Sequence, residues 1–499
     1  MPVTDSTLDH PEVTISAGRV RGRWRDGSAA FLGIPFAEPP VGDLRFAAPV
    51  PHRSWEGVLD AGEHGATPQR TALAEITLIP EPSYPGESTL NVDVFTPRPG
   101  DTAAALPVLV YIHGGGYVAG SPASPWYDGL AFNRDGVVTV SVSYRLGFDG
   151  FGWIEDAPTN RGILDWILAL EWVRDNIAAF GGDPASVTIA GQSAGGGAVL
   201  TLLTVPRAAS LFQRVYSISG TTASVTLEDA ERYGRALAAT AGVAPTRAGL
   251  STLTEERILA LQAEDDAVTS PDAPADPLAP LRALASGSAL RWAPVVDGDL
   301  VPAAIGDAIA DGVGADKSLV LGATDNEFNM AVTELRDALA GADPAGLLAT
   351  IGVPEDAAGA YVAAHAGLDA AGTLGQFVTD AMFRAPAREI AESRAAAGVP
   401  AWIYRFAWTS PTFGAAVHCL DVPFFFDCLD SERVGYIAGE QPPASLADEV
   451  HGAAVRFIAT GDPGWPAYTL PERDVQVFDV PTTAVGDGLA DVGVLQSAR

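Results

Sequence analysis

The pentapeptide Gly191-Gln192-Ser193-Ala194-Gly195 constrains this chain more tightly than any other feature. It follows a short apolar run, residues 187–190, and precedes a segment that reads as a helix starting at Ala194. Between a strand and a helix, the G-x-S-x-G pattern places its serine on a sharp turn with the hydroxyl projecting above a sheet. Small residues two before and two after let the strand and the helix close around that turn. The helix N-terminus beyond it favours nearby negative charge. A glycine-rich turn with a chance serine would look the same locally, so the rest of the chain must supply the partners.

The chain around the motif alternates between strands and helices. Residues 107–112 and 137–142 are continuous apolar runs of strand length, the pattern of strands buried on both faces. Residues 162–179 carry apolar side chains at helical spacing, stopped by Gly181-Gly182. Further strands are expected at 13–15, 19–23, 31–34, 90–95, 318–322 and 401–407, and a late helix at 449–460. Residues 226–290 and 330–397 read as mainly helical, with an Asp/Pro/Ala-rich exposed loop at 265–280. Alternation of this kind predicts an α/β protein with a large, mostly parallel central sheet, helices on both faces and a helical cap made from insertions. No internal repeat or long linker divides the 499 residues, so a single domain over 1–499 is the simplest organisation.

A second signal lies at the end of the strand 107–112, in His113-Gly114-Gly115-Gly116-Tyr117. Without side chains, such glycines let backbone N–H groups point into a shared space. Ester hydrolysis passes through a tetrahedral oxyanion, and each fixed N–H donor aimed at it is worth about 2.7–4 kcal/mol. The expected donors are Gly115, Gly116 and Ala194. Serine also needs a base. In this arrangement the order along the chain is serine, acid, histidine, which removes His10, His52, His64 and His113 from the seven histidines. His365 and His451 fall in helical stretches, whereas His418 lies in a loop after the strand 401–407. The acid should follow a strand between Ser193 and His418. Glu327 and Asp325 both do, and spacing alone leaves the two open. Tyr117 and Phe328, beside the glycine run and the acid, are expected to line an apolar pocket, with Trp126, Trp153 and Phe148 as weaker candidates.

Bulk properties exclude other classes. The formal charge is −32, which repels nucleic acid and anionic lipid. Lys317 is the only lysine, so the basic residues are otherwise arginine, which together with abundant alanine points to a coding bias. Two cysteines, Cys419 and Cys428, rule out a disulfide framework. Residues 1–13 lack the basic start and apolar run of a secretory signal, and no run of about 18 apolar residues offers a membrane span. A cytoplasmic protein is the expectation, with no membrane partner; the sequence leaves the oligomeric state open, a monomer being the simplest case. There is no dinucleotide fingerprint and no His/Cys cluster at metal spacing, so neither a cofactor nor a metal is expected.

Longer stretches resemble a known family. Phe31-Leu-Gly-Ile-Pro-Phe-Ala-Glu-Pro-Pro-Val-Gly-Asp-Leu-Arg-Phe46 is similar to the N-terminal signature of the type-B carboxylesterases, which include para-nitrobenzyl-esterase-like and cholinesterase-like proteins. Ala169-Leu-Glu-Trp-Val-Arg-Asp-Asn-Ile177, Phe180-Gly-Gly-Asp-Pro184 and Trp292-Ala-Pro-Val-Val-Asp-Gly298 continue the likeness over nearly the whole chain. The resemblance implies an α/β-hydrolase fold and a serine carboxylesterase of bacterial type that acts on small ester substrates. It assigns the acid to Glu327 through Gly322-Ala-Thr-Asp-Asn-Glu327 and the base to His418 through Gly414-Ala-Ala-Val-His418. It also places Asp421 and Ser219 close behind the triad. Three departures stand out. Gln192 replaces the glutamate that usually precedes the nucleophile, Thr67 and Thr89 stand where eukaryotic members carry a disulfide, and Cys419 follows the histidine where a small residue is common. The uncharged Gln192 implies a preference for neutral esters, short-chain alkyl or aryl, over choline esters. A lipase or amidase of the same fold is the alternative, and a non-catalytic binding protein a remote one, because all three triad residues are present.

Overall fold

The apolar runs that read as buried strands form the centre of an 11-stranded sheet. The computed structural model describes residues 10–71, 77–267 and 276–498. Across the sheet the strands run Thr483–Val485, Val475–Phe478, Trp402–Phe406, Ser318–Thr324, Arg214–Ile218, Gly182–Gln192, Leu106–Ile112, Val138–Val142, Asn91–Thr96, Ser28–Pro35 and Arg23–Arg25. From Val138–Val142 to Val475–Phe478 every neighbouring pair is parallel. The outer pairs are antiparallel.

Both faces are covered, so side chains on both faces of the central strands are buried, including the small polar Thr139, Ser141, Thr188 and Ser217. Along Leu106–Ile112 the side chains divide between two cores. Val108, Val110 and Ile112 face one that contains Ile163, Trp166 and Ile167 of the helix Arg161–Asn176. Leu109 and Tyr111 face another that contains Phe426 and, from the helix Ala444–Thr460, Phe457. This is the α/β-hydrolase architecture expected from the sequence. Among the described residues no helix is long and apolar enough to cross a membrane.

The insertions between the later strands are helical, as expected. Leu227–Ala241, Glu255–Ala267 and Ala279–Ala285 precede the strand Ser318–Thr324, and Pro344–Thr350, Glu355–Ala364, Ala370–Thr379 and Ala385–Ala396 follow it. Of the loop expected at 265–280, residues 268–275 lie outside the described residues; on its near side the helix runs on to Ala267, and on its far side a helix begins at Ala279. Other boundaries move as well. The helix expected at 162–179 ends at Asn176 and tightens into a 3-10 turn, Ile177–Phe180. The late helix starts earlier, at Ala444. The expected strand 19–23 is two strands, Gly18–Arg21 and Arg23–Arg25, in different sheets. Arg214–Ile218, a central strand absent from the sequence expectation, keeps only Val215, Tyr216 and Ile218 as apolar residues, too short a run to mark a strand.

Candidate active site

Ser193 ends the strand Gly182–Gln192 and opens the helix Ala194–Thr204. Its backbone sits at φ 61°, ψ −122°, a conformation that costs a non-glycine residue on the order of 1–3 kcal/mol and is held only by its surroundings. The surroundings are explicit. Ser193 N–H donates to Ile218 O at 2.9 Å, and Ser193 O accepts from Gly197 N–H at 2.9 Å. The flanking glycines are required sterically: a Cβ on Gly195 would lie 2.0 Å from Ile112 O, and one on Gly191 would lie 2.4 Å from the Gly195 carbonyl. The elbow therefore exists because the helix crosses directly over the neighbouring strand.

His418 and Glu327 meet beyond the C-terminal ends of the adjacent strands. His418 Nδ1 contacts Glu327 Oε2 in a short hydrogen bond. The other carboxylate oxygen, Oε1, accepts from Thr324 N–H at 2.7 Å, and His418 N–H donates to Glu327 O at 3.1 Å. Glu327 is fully buried. Asp325, the local rival, turns away and forms a two-pronged pair with Arg405 at 2.8 and 2.7 Å. Burial opposes a charged His418, yet Cys419 and Glu327 beside it outweigh that and hold its pKa above the usual imidazole value. The distal nitrogen, Nε2, faces Gln192 Nε2 at 3.1 Å. In the neutral imidazole, with Nδ1–H directed at Glu327, that contact is an amide donating to the Nε2 lone pair.

The glycine run lies across the elbow. Gly115 and Gly116 adopt φ 109° and 61°, conformations open to glycine. Their N–H groups and that of Ala194 have no acceptor among the described residues. His113 is fully buried, stacks on Tyr144 at 4.6 Å and bonds Gly114 O through Nδ1 at 2.8 Å. Burial pushes its pKa down to about 4, so it is a neutral prop of the loop.

Comparison with known proteins settles the family. Residues 9–348 match the family model described as the carboxylesterase family. The chain belongs to that family. It is 33% identical to para-nitrobenzyl esterase of Bacillus subtilis (strain 168), over 96% of this chain and 97% of the relative. It is 31% identical to phenmedipham hydrolase of Pseudarthrobacter oxydans, covering 97% of each. A Geobacillus stearothermophilus carboxylesterase structure superposes with a TM-score of 0.83 at 30% identity, covering 98% of this chain and all of that one. A para-nitrobenzyl esterase structure superposes with a TM-score of 0.78, again at 30% identity. The protein is thus a carboxylic ester hydrolase.

The remaining expected site residues of this carboxylesterase fall into place unevenly. Phe328 lies against His418, ring centroids 4.8 Å apart, and Phe383 lies 5.3 Å from the imidazole, stacked on Phe328 with centroids 5.8 Å apart. Phe383 escaped the sequence reading because it sits in a π-helical turn, Asp380–Arg384, inside a long helical segment with no motif. Tyr117 does not line a pocket: it is 0% exposed and packs on Phe151 and Trp166, because the glycine run turns its backbone to φ 64° and sends the ring into the core. Trp126 and Phe148 are core residues as well, and half-buried Trp153 lies under Arg235. Ser219 is fully buried at φ 46° just after Ile218, its N–H bonded to Gly322 O at 2.7 Å. Asp421 is buried and accepts from Tyr404 Oη–H at 2.8 Å. Burial, with the Glu327 charge adding to it, pushes the Asp421 pKa up to about 7.

One group of acidic and histidine side chains, His365, Asp380 and Asp491, is close enough to hold a metal ion among the described residues. Arg384 already fills it, donating to Asp380 at 2.6 Å and to Asp491 at 2.7 Å. Two positive and two negative groups close this cluster. Gln376 connects it to the acid loop, donating to Asp380 at 3.0 Å and to Asp325 O at 2.9 Å. Its position and its charge balance make it a brace behind Glu327.

Proposed function

We propose that this carboxylesterase hydrolyses neutral carboxylic esters, short-chain alkyl or aryl, through an acyl-enzyme on Ser193, with His418 as base and Glu327 as its anionic partner. The observation that carries this reading is the bond from His418 Nδ1 to a buried carboxylate, with His418 Nε2 turned to Gln192, the residue before a serine held on a strained elbow. Glu327 fixes the tautomer, leaving the Nε2 lone pair to take the Ser193 proton as Oγ attacks the ester carbonyl. Gly115, Gly116 and Ala194 then donate to the oxyanion. The imidazolium returns its proton to the departing alcohol, and water repeats the sequence on the acyl-enzyme. Gln192 must release Nε2 for the first transfer, since amide and serine compete for one lone pair. These steps use protein groups and water alone, within one catalytic unit formed by the whole chain. Ser219 and Asp421 support the triad from behind, and Phe328 with Phe383 forms an apolar wall suited to aryl or short alkyl groups. We place the enzyme in the cytoplasm, a reading supported by two cysteines that remain unpaired.

The test is covalent. An organophosphate should add at Ser193, located by mass spectrometry, and Ser193→Ala should stay folded and lose nearly all esterase activity. An adduct elsewhere, or an active alanine variant, defeats the assignment. A panel of p-nitrophenyl esters of increasing acyl length separates this reading from a lipase, whose rates would rise with chain length.

A further inference from the structure

The turn carrying Gly115 and Gly116 is tied down at its far end by a side chain outside the triad. Val118 and Ala119 both donate to Gly115 O, at 3.1 and 2.8 Å. The next free amide, Gly120 N–H, donates to Glu81 Oε2 at 3.0 Å. Gly120 is packed on the glycine run itself: at φ 94°, a Cβ on it would lie 2.2 Å from Gly114 O. A Cβ on Gly115 would lie 2.3 Å from Ala119 O and 2.7 Å from Gly120 N. Gly114, Gly115, Ala119 and Gly120 therefore move as one knot, and Glu81 holds its outer strand.

Glu81 is itself held. Arg70 reaches its carboxylate at 3.4 Å and bonds Glu81 O at 2.8 Å, Pro82 O at 2.9 Å and Pro68 O at 3.2 Å. The two side chains are only 5% and 15% exposed. Ser121 Oγ–H donates to Pro82 O at 2.7 Å, which joins the same two chain segments once more. Burial works against the charge on Arg70, with Glu81 opposing that effect. A pair this far out of water is a weak source of stability. What it supplies better is an immobile acceptor for one particular backbone amide.

We propose that Glu81, clamped by Arg70, is a positioning residue for the oxyanion hole. Its carboxylate fixes Gly120, Gly120 fixes the packed glycine run, and the run presents the Gly115 and Gly116 donors at the distance the oxyanion needs. The inference rests on the donor assignment made above. Glu81 touches no substrate, so its loss should leave ester binding intact and misplace donors that matter in the transition state. Displacements well below 1 Å are sufficient to matter there.

The expected signature is a split between kcat and KM. Glu81→Ala should lower kcat about tenfold or more, with KM changed less than about twofold. An aryl trifluoromethyl ketone, which adds to the serine as an oxyanion, should lose affinity in the same proportion as kcat/KM falls. Glu81→Gln keeps a carbonyl acceptor at the same reach and should recover most of the rate. If Glu81→Ala does not fold, Glu81→Asp, one methylene shorter, carries the same test. Unchanged kcat, unchanged ketone affinity, or a glutamine variant no better than alanine overturns the proposal. A fluorophosphonate probe on the unaltered enzyme separates this from the wider reading: no adduct at Ser193 would mean the site assignment itself had failed, whatever the Glu81 variants do.

Discussion

Replacing Gln192 by glutamate puts the charge logic of this site to a quantitative test. The amide stands 3.1 Å from His418 Nε2 and is 1% exposed, so whatever occupies the position acts at close range with little water between. An amide donor bonds the neutral imidazole and has nothing to offer an imidazolium N–H unless it turns over. A carboxylate reverses the preference. Two opposite charges about 4 Å apart attract by roughly 4 kcal/mol at an effective dielectric constant of about 20. Removing the new carboxylate from water takes back part of that. A net rise of about 1–3 units in the His418 pKa is the expected range, each unit being about 1.4 kcal/mol. The base must be unprotonated to act, so the rising limb of kcat/KM against pH should move to higher pH by that amount with a neutral p-nitrophenyl ester. The same variant should raise kcat/KM for a choline ester relative to its neutral isostere. The formal surface charge of −32 should not mask this, because ions screen it over about 8 Å at physiological salt. A limb that stays in place or moves down, or a wild-type enzyme that already prefers the choline ester, would refute the reasoning.

Other outcomes follow from the same geometry. Glu327→Gln should cost on the order of 10⁴ in kcat with little change in KM, since the imidazolium loses its anionic partner. Asp325→Asn, which breaks only the pair with Arg405, should retain most of the turnover, and the reverse ranking would show the acid to be misassigned. Dialysis against a strong chelator should leave the hydrolysis rate unchanged, because every proposed step uses protein groups and water; a rate restored only by added divalent metal would contradict them. His365 loses by burial but gains more from Asp380 and Asp491, so its pKa is raised to about 9. A raised cationic group stabilises fully below its unfolded value near 6.5 and loses that contribution as pH climbs through about 9. His365→Gln should therefore lower Tm at pH 6, by an amount equivalent to about 1–2 kcal/mol, and cost far less at pH 10; an equal loss at both values would rule out the charged brace.

Local patterns carried the elbow, the glycine run and the buried strands, because each is a short-range requirement. The elbow needs glycine where Gly195 meets Ile112 O, and a strand covered on both faces favours an apolar run like that of Leu106–Ile112. The order of serine, acid and histidine removed four of the seven histidines, a loop position after a strand picked His418 from the other three, and family likeness narrowed the acids to Glu327. What only the tertiary structure decided are contacts between residues far apart in the chain, or side chains whose direction depends on one backbone torsion. Asp325 and Glu327 look equivalent in sequence until Arg405, 80 residues away, draws the first carboxylate aside. Tyr117 belonged beside the substrate by position, but a backbone at φ 64° aims it into the core. Gln192 reaches His418 across 226 residues, and Glu81 reaches Gly120 across 39. Sequence periodicity reports which face of an element is buried. It has no means of reporting which polar atoms meet once strands and loops distant in the chain are brought to one edge of the sheet.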